Sequence, residues 1–232
     1  MRIEGLQKTT LLDFPGKVAC TIFTEGCNFR CPFCHNSSLV ICDKKGEDPT
    51  YSEEEILKFL KKRQGILDGV CITGGEPMMQ SDLEEFIEKI KKLGYLVKLD
   101  TNGSEPMRLK KLIDDGLIDY VAMDVKNCKE EYARTIGVKN YPIDRIEESI
   151  SILLEDRIPY EFRTTVVKEF HTAENMIRLA QWIKGAKNYY MQQFVDSEDV
   201  MVKGLHSCDP EEIFQWKKKL EQYIDNVEVR GI

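Results

Sequence analysis

Val18-Ala19-Cys20-Thr21-Ile22-Phe23-Thr24-Glu25-Gly26-Cys27-Asn28-Phe29-Arg30-Cys31-Pro32-Phe33-Cys34 is an apolar run that opens into three cysteines spaced C-x3-C-x2-C. The β-branched stretch Val18 to Thr24 predicts a strand, so the cysteines follow a strand's carboxyl end. A cubane iron–sulfur cluster is ordinarily held by four thiolates. Three thiolates on one loop, with no fourth at a fixed distance, would leave one iron open. Open metal positions do chemistry, whereas closed ones hold structure. A zinc site of Cys27, Cys31, Cys34 and His35 remains a competitor, because Cys3His is a common zinc set. Structural zinc sites, however, pair one knuckle with a second, distant one, and no second pair is present. Cys20, Cys71 and Cys128 lie among apolar or strand-like residues and read as core thiols. Cys42 and Cys208 lack partners at ligand spacing and read as structural or incidental.

Further along, Val70-Cys71-Ile72-Thr73-Gly74-Gly75-Glu76-Pro77 reads as a short buried strand entering a glycine turn. Two glycines permit positive φ and close approach of a backbone to a ligand. The turn would offer amides and carbonyls to a small zwitterion, with Glu76 for its ammonium group. Helical and strand patterns alternate around both motifs. Strands are expected at Val18 to Thr24, Val70 to Thr73, Leu96 to Thr101, Tyr120 to Val125, Glu161 to Val167 and Tyr189 to Phe194. Helices are expected from Ser52, with a Ser52/Glu55 capping box, and over Ser81 to Leu93, closed by Gly94. Others fall at Met107 to Asp115, near Glu130 to Thr135, and over Ile143 to Glu155, Ala173 to Ile183 and Pro210 to Tyr223.

Six strands each followed by a helix make a parallel sheet with right-handed crossovers. Its chemistry belongs at the strands' carboxyl ends. Six units are too few for an eight-stranded barrel, so the expected fold is α/β, a partial barrel of parallel strands with outer helices. A doubly wound open sheet is the alternative. No linker or low-complexity run divides residues 1–232, which read as one domain. Within it, 1–17 would be an N-terminal extension, 18–194 the partial barrel, and 195–232 a C-terminal helix and tail.

Cys27, Cys31 and Cys34, Phe33 before the last of them, and Gly74-Gly75-Glu76-Pro77 together resemble the radical S-adenosylmethionine (SAM) superfamily. More narrowly, the chain resembles the glycyl-radical-enzyme activating enzymes. Thr10-Leu11-Leu12-Asp13-Phe14-Pro15-Gly16 and Cys31-Pro32-Phe33-Cys34-His35-Asn36 are similar to segments of anaerobic ribonucleoside-triphosphate reductase activating proteins. Asp100-Thr101-Asn102-Gly103 and Met123-Asp124-Val125-Lys126 resemble segments of the pyruvate formate-lyase activase. The likeness covers nearly the whole chain and implies a partial (β/α)6 TIM-like barrel. It implies one 4Fe-4S cluster on Cys27, Cys31 and Cys34, with SAM chelating the open iron. SAM would lie along Phe33, His35, Gly74, Gly75, Glu76, Asp100, Asn102 and Lys126.

Arg163, alternating within a strand, could reach the methionyl carboxylate or pair with a buried acid. Asn102-Gly103 is also an ordinary turn dipeptide. Gln192 and Gln193 stand where the formate-lyase activase presents a histidine, so no role carries over there. His171 and His206 fall in predicted loops with no partner in the sequence. Between Cys34 and Gly74 only Cys42 occurs, so the extra ferredoxin-like clusters of other activases are not expected.

The implied reaction takes one electron from a flavodoxin or ferredoxin, cleaves SAM reductively, and removes a Cα hydrogen from a glycine of a partner enzyme. The N-terminal likeness points to anaerobic ribonucleotide reductase. Two other readings remain: a radical SAM enzyme on a small molecule, like the 7-carboxy-7-deazaguanine synthases, and a non-enzymatic zinc-binding interaction module.

Composition bounds the rest. A net charge of −7 and a pI near 5.2 argue against broad nucleic-acid binding. No run approaches a membrane span. Clusters such as Lys89-Lys91-Lys92, Lys110-Lys111 and Lys217-Lys218-Lys219 sit beside acids on amphipathic helices and read as solvated faces. Reduced thiols without a targeting segment predict a cytoplasmic protein.

Overall fold

The structure, a computed structural model, describes residues 1–40 and 48–232; Cys42 lies outside the described residues. The fold is α/β. Strands β1 (Ile3–Thr10), β2 (Ala19–Thr24), β3 (Gly69–Gly74), β4 (Leu96–Thr101), β5 (Tyr120–Asp124), β6 (Tyr160–Val166), β7 (Asn188–Gln193) and β8 (Asn226–Arg230) form one sheet in sequential order. The chain separates into two compact units.

The first unit comprises Met1–Asn28, Ser38–Thr101 and Met107–Val121. In it β2 pairs in parallel with β3, from Ala19 against Gly69 to Thr24 against Gly74, and β3 pairs in parallel with β4. Burial explains the strand composition: Ala19, Cys20, Ile22, Val70, Cys71, Ile72, Val97 and Leu99 are fully buried, as expected of strands covered on both faces. Helix Glu53–Lys61 starts at the expected box, with Ser52 Oγ accepting from Glu55 N and the Glu55 side chain accepting from Ser52 N. Helix Leu83–Lys92 ends before Gly94, whose φ of +88° suits glycine.

The second unit comprises Phe29–Ser37, Asn102–Pro106 and Ala122–Ile232. Here β6 pairs in parallel with β7 and β7 with β8. Thr172 caps helix Ala173–Trp182 through a hydrogen bond from Asn175 N, and Asp209 with Pro210 starts helix Pro210–Leu220.

The six expected strands all occur, within about a residue at each end. Two more appear in stretches where none was expected. β1 pairs antiparallel to β2, with register shifts. Its middle, Gln7 to Thr9, is exposed, so it shows no alternating apolar face. β8 is five residues long and only Val227 in it is buried. Short edge-type strands are held by backbone ladders, which side-chain pattern does not report.

Candidate functional site

The first unit carries the glycine turn. At Gly74 φ is +117°, and an added β-carbon would lie 2.3 Å from Thr24 N; at Gly75 it would lie 2.1 Å from Gly26 O. Both glycines are therefore demanded by close backbone packing against the end of β2 and the first residue of the cysteine loop. The Gly75 amide donates to Thr24 O (2.9 Å) and the Glu76 amide to Gly26 O (2.7 Å). Those two amides tie the turn to the end of β2 and to the residue before Cys27. Glu76 is fully buried. Its Oε1 accepts from Met78 N (3.1 Å) and from the Thr101 hydroxyl (2.9 Å), capping the 3-10 turn Pro77–Met79. Through Thr101 the carboxylate holds the end of β4.

Asp100, one residue earlier in β4, forms an ion pair with Lys98. Lys98 is 1% exposed, and its ammonium lies 3.9 Å from Cys71 Sγ, which in turn lies 3.7 Å from Asp100. Sequence reading passed over Lys98. The signal was there: two-residue spacing in a strand puts Lys98 and Asp100 on one face.

The second unit carries Cys31 and Cys34. Phe33 is buried, its ring centroid 5.7 Å from that of Phe170 and 6.4 Å from His171. His35 Nε2 donates to Val195 O (2.8 Å) and its ring stacks on Phe194, so its part in this structure is to organise the loop. The segment after β7 closes onto the same loop. Met201 N donates to Cys34 O (3.3 Å), Val202 N to Pro32 O (2.9 Å), and Ser37 Oγ to Asp199 O (2.5 Å). These bonds place part of the expected tail directly against the cysteines.

At the end of β5 and the middle of β6 stands a cluster of charges. Asp124 accepts from Lys126 Nζ (2.8 Å) and from Arg163 Nε (2.9 Å). Burial pushes the Asp124 carboxyl up, but Arg163 and Lys126 outweigh it and hold the carboxyl well below the usual range. Burial pulls the Lys126 ammonium down, yet Asp124 and the Cys31 and Cys34 thiols raise it above its ordinary value. Burial raises the Cys34 thiol, with the Asn36 backbone amide and then Lys126 opposing. Lys126 is thus a cation set beside the last two cysteines.

His171, left unassigned from sequence, supports this cluster. Its Nδ1 accepts from Val167 N (3.0 Å), so Nε2 carries the proton and donates to Lys126 O (2.9 Å). Burial lowers its pKa and keeps the ring neutral. Asn102 Oδ1 accepts from Ser104 N (2.9 Å), closing a turn at Gly103, whose φ is +74°. Gln193 Nε2 donates to Cys208 O (2.9 Å).

Cys20, Cys71, Cys128 and Cys208 are buried and none of the seven described cysteines is in a disulfide; burial pushes the Cys20 thiol up to about 12 and that of Cys208 to about 11. Among the described residues no group of three or more His, Cys, Asp or Glu side chains stands assembled as a metal site. Cys27, Cys31 and Cys34 are donors by type and spacing, not by a preformed cage.

A model of the radical SAM superfamily matches residues 21–183, a span running from β2 through the cysteine loop, the glycine turn and Arg163. The chain belongs to the radical SAM superfamily. Radical SAM enzymes use a 4Fe-4S cluster and SAM. The residues present fit that pair: three thiol donors sit on one loop, and a partly buried cation, Lys126, whose pKa two of them raise, lies alongside.

A Methanocaldococcus jannaschii protein, provisionally named a glycyl-radical enzyme activating enzyme, is 33% identical over 99% of this chain and 96% of its own length. A Thermococcus kodakarensis protein, provisionally named a GTP 3′,8-cyclase, is 32% identical over 65% of this chain and 48% of its own. Among solved structures, Streptococcus suis SuiB bound to SAM aligns with a TM-score of 0.68 at 15% identity, over 90% of this chain and 49% of SuiB. That likeness is one of fold, and this chain spans about half the length of SuiB. Among the described residues no helix is long and apolar enough to cross a membrane.

Proposed function

We propose that this radical SAM enzyme is an activase that removes a Cα hydrogen from a glycine of a partner enzyme, leaving a glycyl radical there. The observation that carries the reading is the cation pair Lys126 and Arg163, clasped by Asp124, with Lys126 near enough to Cys31 and Cys34 to feel their charge. Such a site suits a cofactor that brings both thiolate-bound metal and a carboxylate. Cys27, Cys31 and Cys34 would hold three irons. Arg163 and Lys126 would meet the methionyl carboxylate by charge-assisted bonds. Gly74, Gly75, Asp100 and Asn102 would border the rest of SAM with Phe33 and His35 shaping the loop, and Glu76 would act by fixing Thr101 and the turn.

When bound, the cluster and SAM supply one-electron cleavage of the S–C5′ bond, giving methionine and, with the glycine hydrogen, 5′-deoxyadenosine. The electron donor would be a flavodoxin or ferredoxin. The full-length likeness to the M. jannaschii protein supports an activase. The Thr10 to Gly16 segment favours anaerobic ribonucleotide reductase as its partner. One cluster loop would hold the one cluster.

The test is to reduce the anaerobic protein, mix it with SAM and the candidate reductase, and look for a glycyl radical doublet by electron paramagnetic resonance. A doublet that requires both proteins supports the reading. SAM cleavage without a doublet on any glycyl-radical partner ends it. A second reading, a radical SAM enzyme on a small molecule, rests on the likeness to the GTP 3′,8-cyclase. It predicts that a nucleotide, and no protein, stimulates SAM cleavage. Membership of the superfamily removes the zinc-binding interaction module from consideration.

A further inference from the structure

The charge cluster does not end at Arg163. Two residues before it on β6, and therefore on the same face, Glu161 is 1% exposed. Its carboxylate receives both terminal nitrogens of Arg230 on β8, at 3.2 and 3.1 Å. The two-pronged match fixes the guanidinium plane as well as its charge. The Arg230 guanidinium also lies over the Tyr190 ring, 3.4 Å from its centroid, so β7 and β8 together hold it.

Arg163 stands between two acids. Its Nε is 2.9 Å from Asp124, while its nearest approach to Glu161 is 3.9 Å. The charges therefore alternate from β8 to the cysteine loop: Arg230, Glu161, Arg163, Asp124, Lys126. Three cations face two carboxylates, an excess of one positive charge. Without Arg230 the excess disappears, and Glu161 is left a buried carboxylate with the Arg163 guanidinium 3.9 Å away. A buried charge takes whatever partner it can reach.

We propose that Arg230 is a positioning residue: by occupying Glu161 it keeps Arg163 on Asp124, and so keeps Arg163 and Lys126 set, with one net positive charge, to receive the carboxylate of SAM. This rests on the reading of the site given above. It gives the end of the sheet a role in cofactor affinity without any contact with the cofactor.

The test uses the cluster-loaded full chain under anaerobic conditions. SAM affinity is measured by equilibrium dialysis for wild type, Arg230→Met, Arg230→Lys and the double variant Arg230→Met/Glu161→Gln, with iron content as a control. Loss of one charge-assisted interaction predicts that Arg230→Met weakens SAM binding about tenfold or more, with iron content unchanged. Arg230→Lys should recover part of it. The double variant restores the one-charge excess and removes the acid competing for Arg163, so it should bind near the wild-type level. Neutralising Glu161 also relieves an unpaired buried acid, so urea midpoints are read alongside; SAM affinity that merely follows the midpoint across the four proteins marks a structural role and overturns the proposal.

Unchanged SAM affinity in Arg230→Met, or no rescue in the double variant, overturns the proposal. If wild type itself, fully loaded with iron, does not bind SAM, it is the reading of the site that fails. The positioning claim is then decided by nuclear magnetic resonance of the Arg163 Nε–H group in the same proteins. Its signal should shift in Arg230→Met and return in the double variant; a signal that stays put overturns the claim.

Discussion

The glycine turn of the first unit and the ion-pair chain of the second hold their groups by opposite means. The turn is a fit of backbone to backbone. Gly75 has no room for a single added carbon, and its bonds join neutral amides and carbonyls. The chain from Lys126 to Arg230 is a balance of charge, in which side chains separated along the sequence fix one another through alternating sign. The first kind of site is sensitive to volume and indifferent to charge. The second tolerates changes of shape and fails when a sign is lost. Proteins that bind a bulky zwitterion need both, since one part of the ligand is recognised by contour and the other by charge.

The largest effect should come from volume. Gly75→Ala would put its β-carbon against the Gly26 carbonyl at 2.1 Å, with only backbone to give way. A loss of about 3 kcal/mol or more in urea unfolding is expected. Gly94→Ala is the control: its φ is positive, which that of Gly75 is not, and nothing lies within 4 Å of the added carbon. It should lose only about 1 kcal/mol, the backbone term alone. Equal losses would break the distinction drawn here.

Next comes sign. Asp124→Ala leaves Lys126 and Arg163 without their shared carboxylate and should lose about 3 kcal/mol at neutral pH. The effect has a pH signature. A carboxyl lowered on folding stabilises the native state above its unfolded value, near pH 4, and loses that contribution as pH falls through its native value. The gap between wild type and variant should therefore narrow in acid; a gap that persists unchanged would mean packing, not charge, is lost.

Smaller effects sharpen the comparison. Thr101→Val removes the hydroxyl that Glu76 accepts from inside the core and should lose about 2 kcal/mol. In the charged unit, His171 is neutral and buried, with its pKa lowered. The unfolded chain then binds a proton first, so stability declines as pH drops below about 6.5. His171→Phe should be less stable at pH 7.5 and should show a flatter decline to pH 5.5. An identical slope in urea midpoints would remove His171 as the source.

Much of this was legible in the chain itself, in the features that local chemistry dictates. Buried runs such as Ala19–Thr24 and Gly69–Gly74 announce strands because both faces must be largely apolar. Ser52 and Glu55 announce a helix start because their side chains satisfy its first amides. The cysteine spacing and Gly74-Gly75-Glu76 announce the site because a ligand set and a close backbone crossing each restrict residue type. The register of the strands decided other things. Glu76 reads as a ligand for an ammonium group, but the turn buries it against Thr101. His171 reads as a loop histidine, but it holds the Lys126 carbonyl.

The sequence by itself determined the α/β alternation, the family, and the residue types that can hold a cluster and SAM, because each follows from spacing within a few residues. Only the tertiary structure decided which acid each cation faces, and that β8 supplies Arg230 to Glu161. Residues 161 and 230 are 69 positions apart. Their pairing comes from the parallel ladders β6–β7–β8, and hydrogen bonds between backbones leave no mark on the side chains that would predict them.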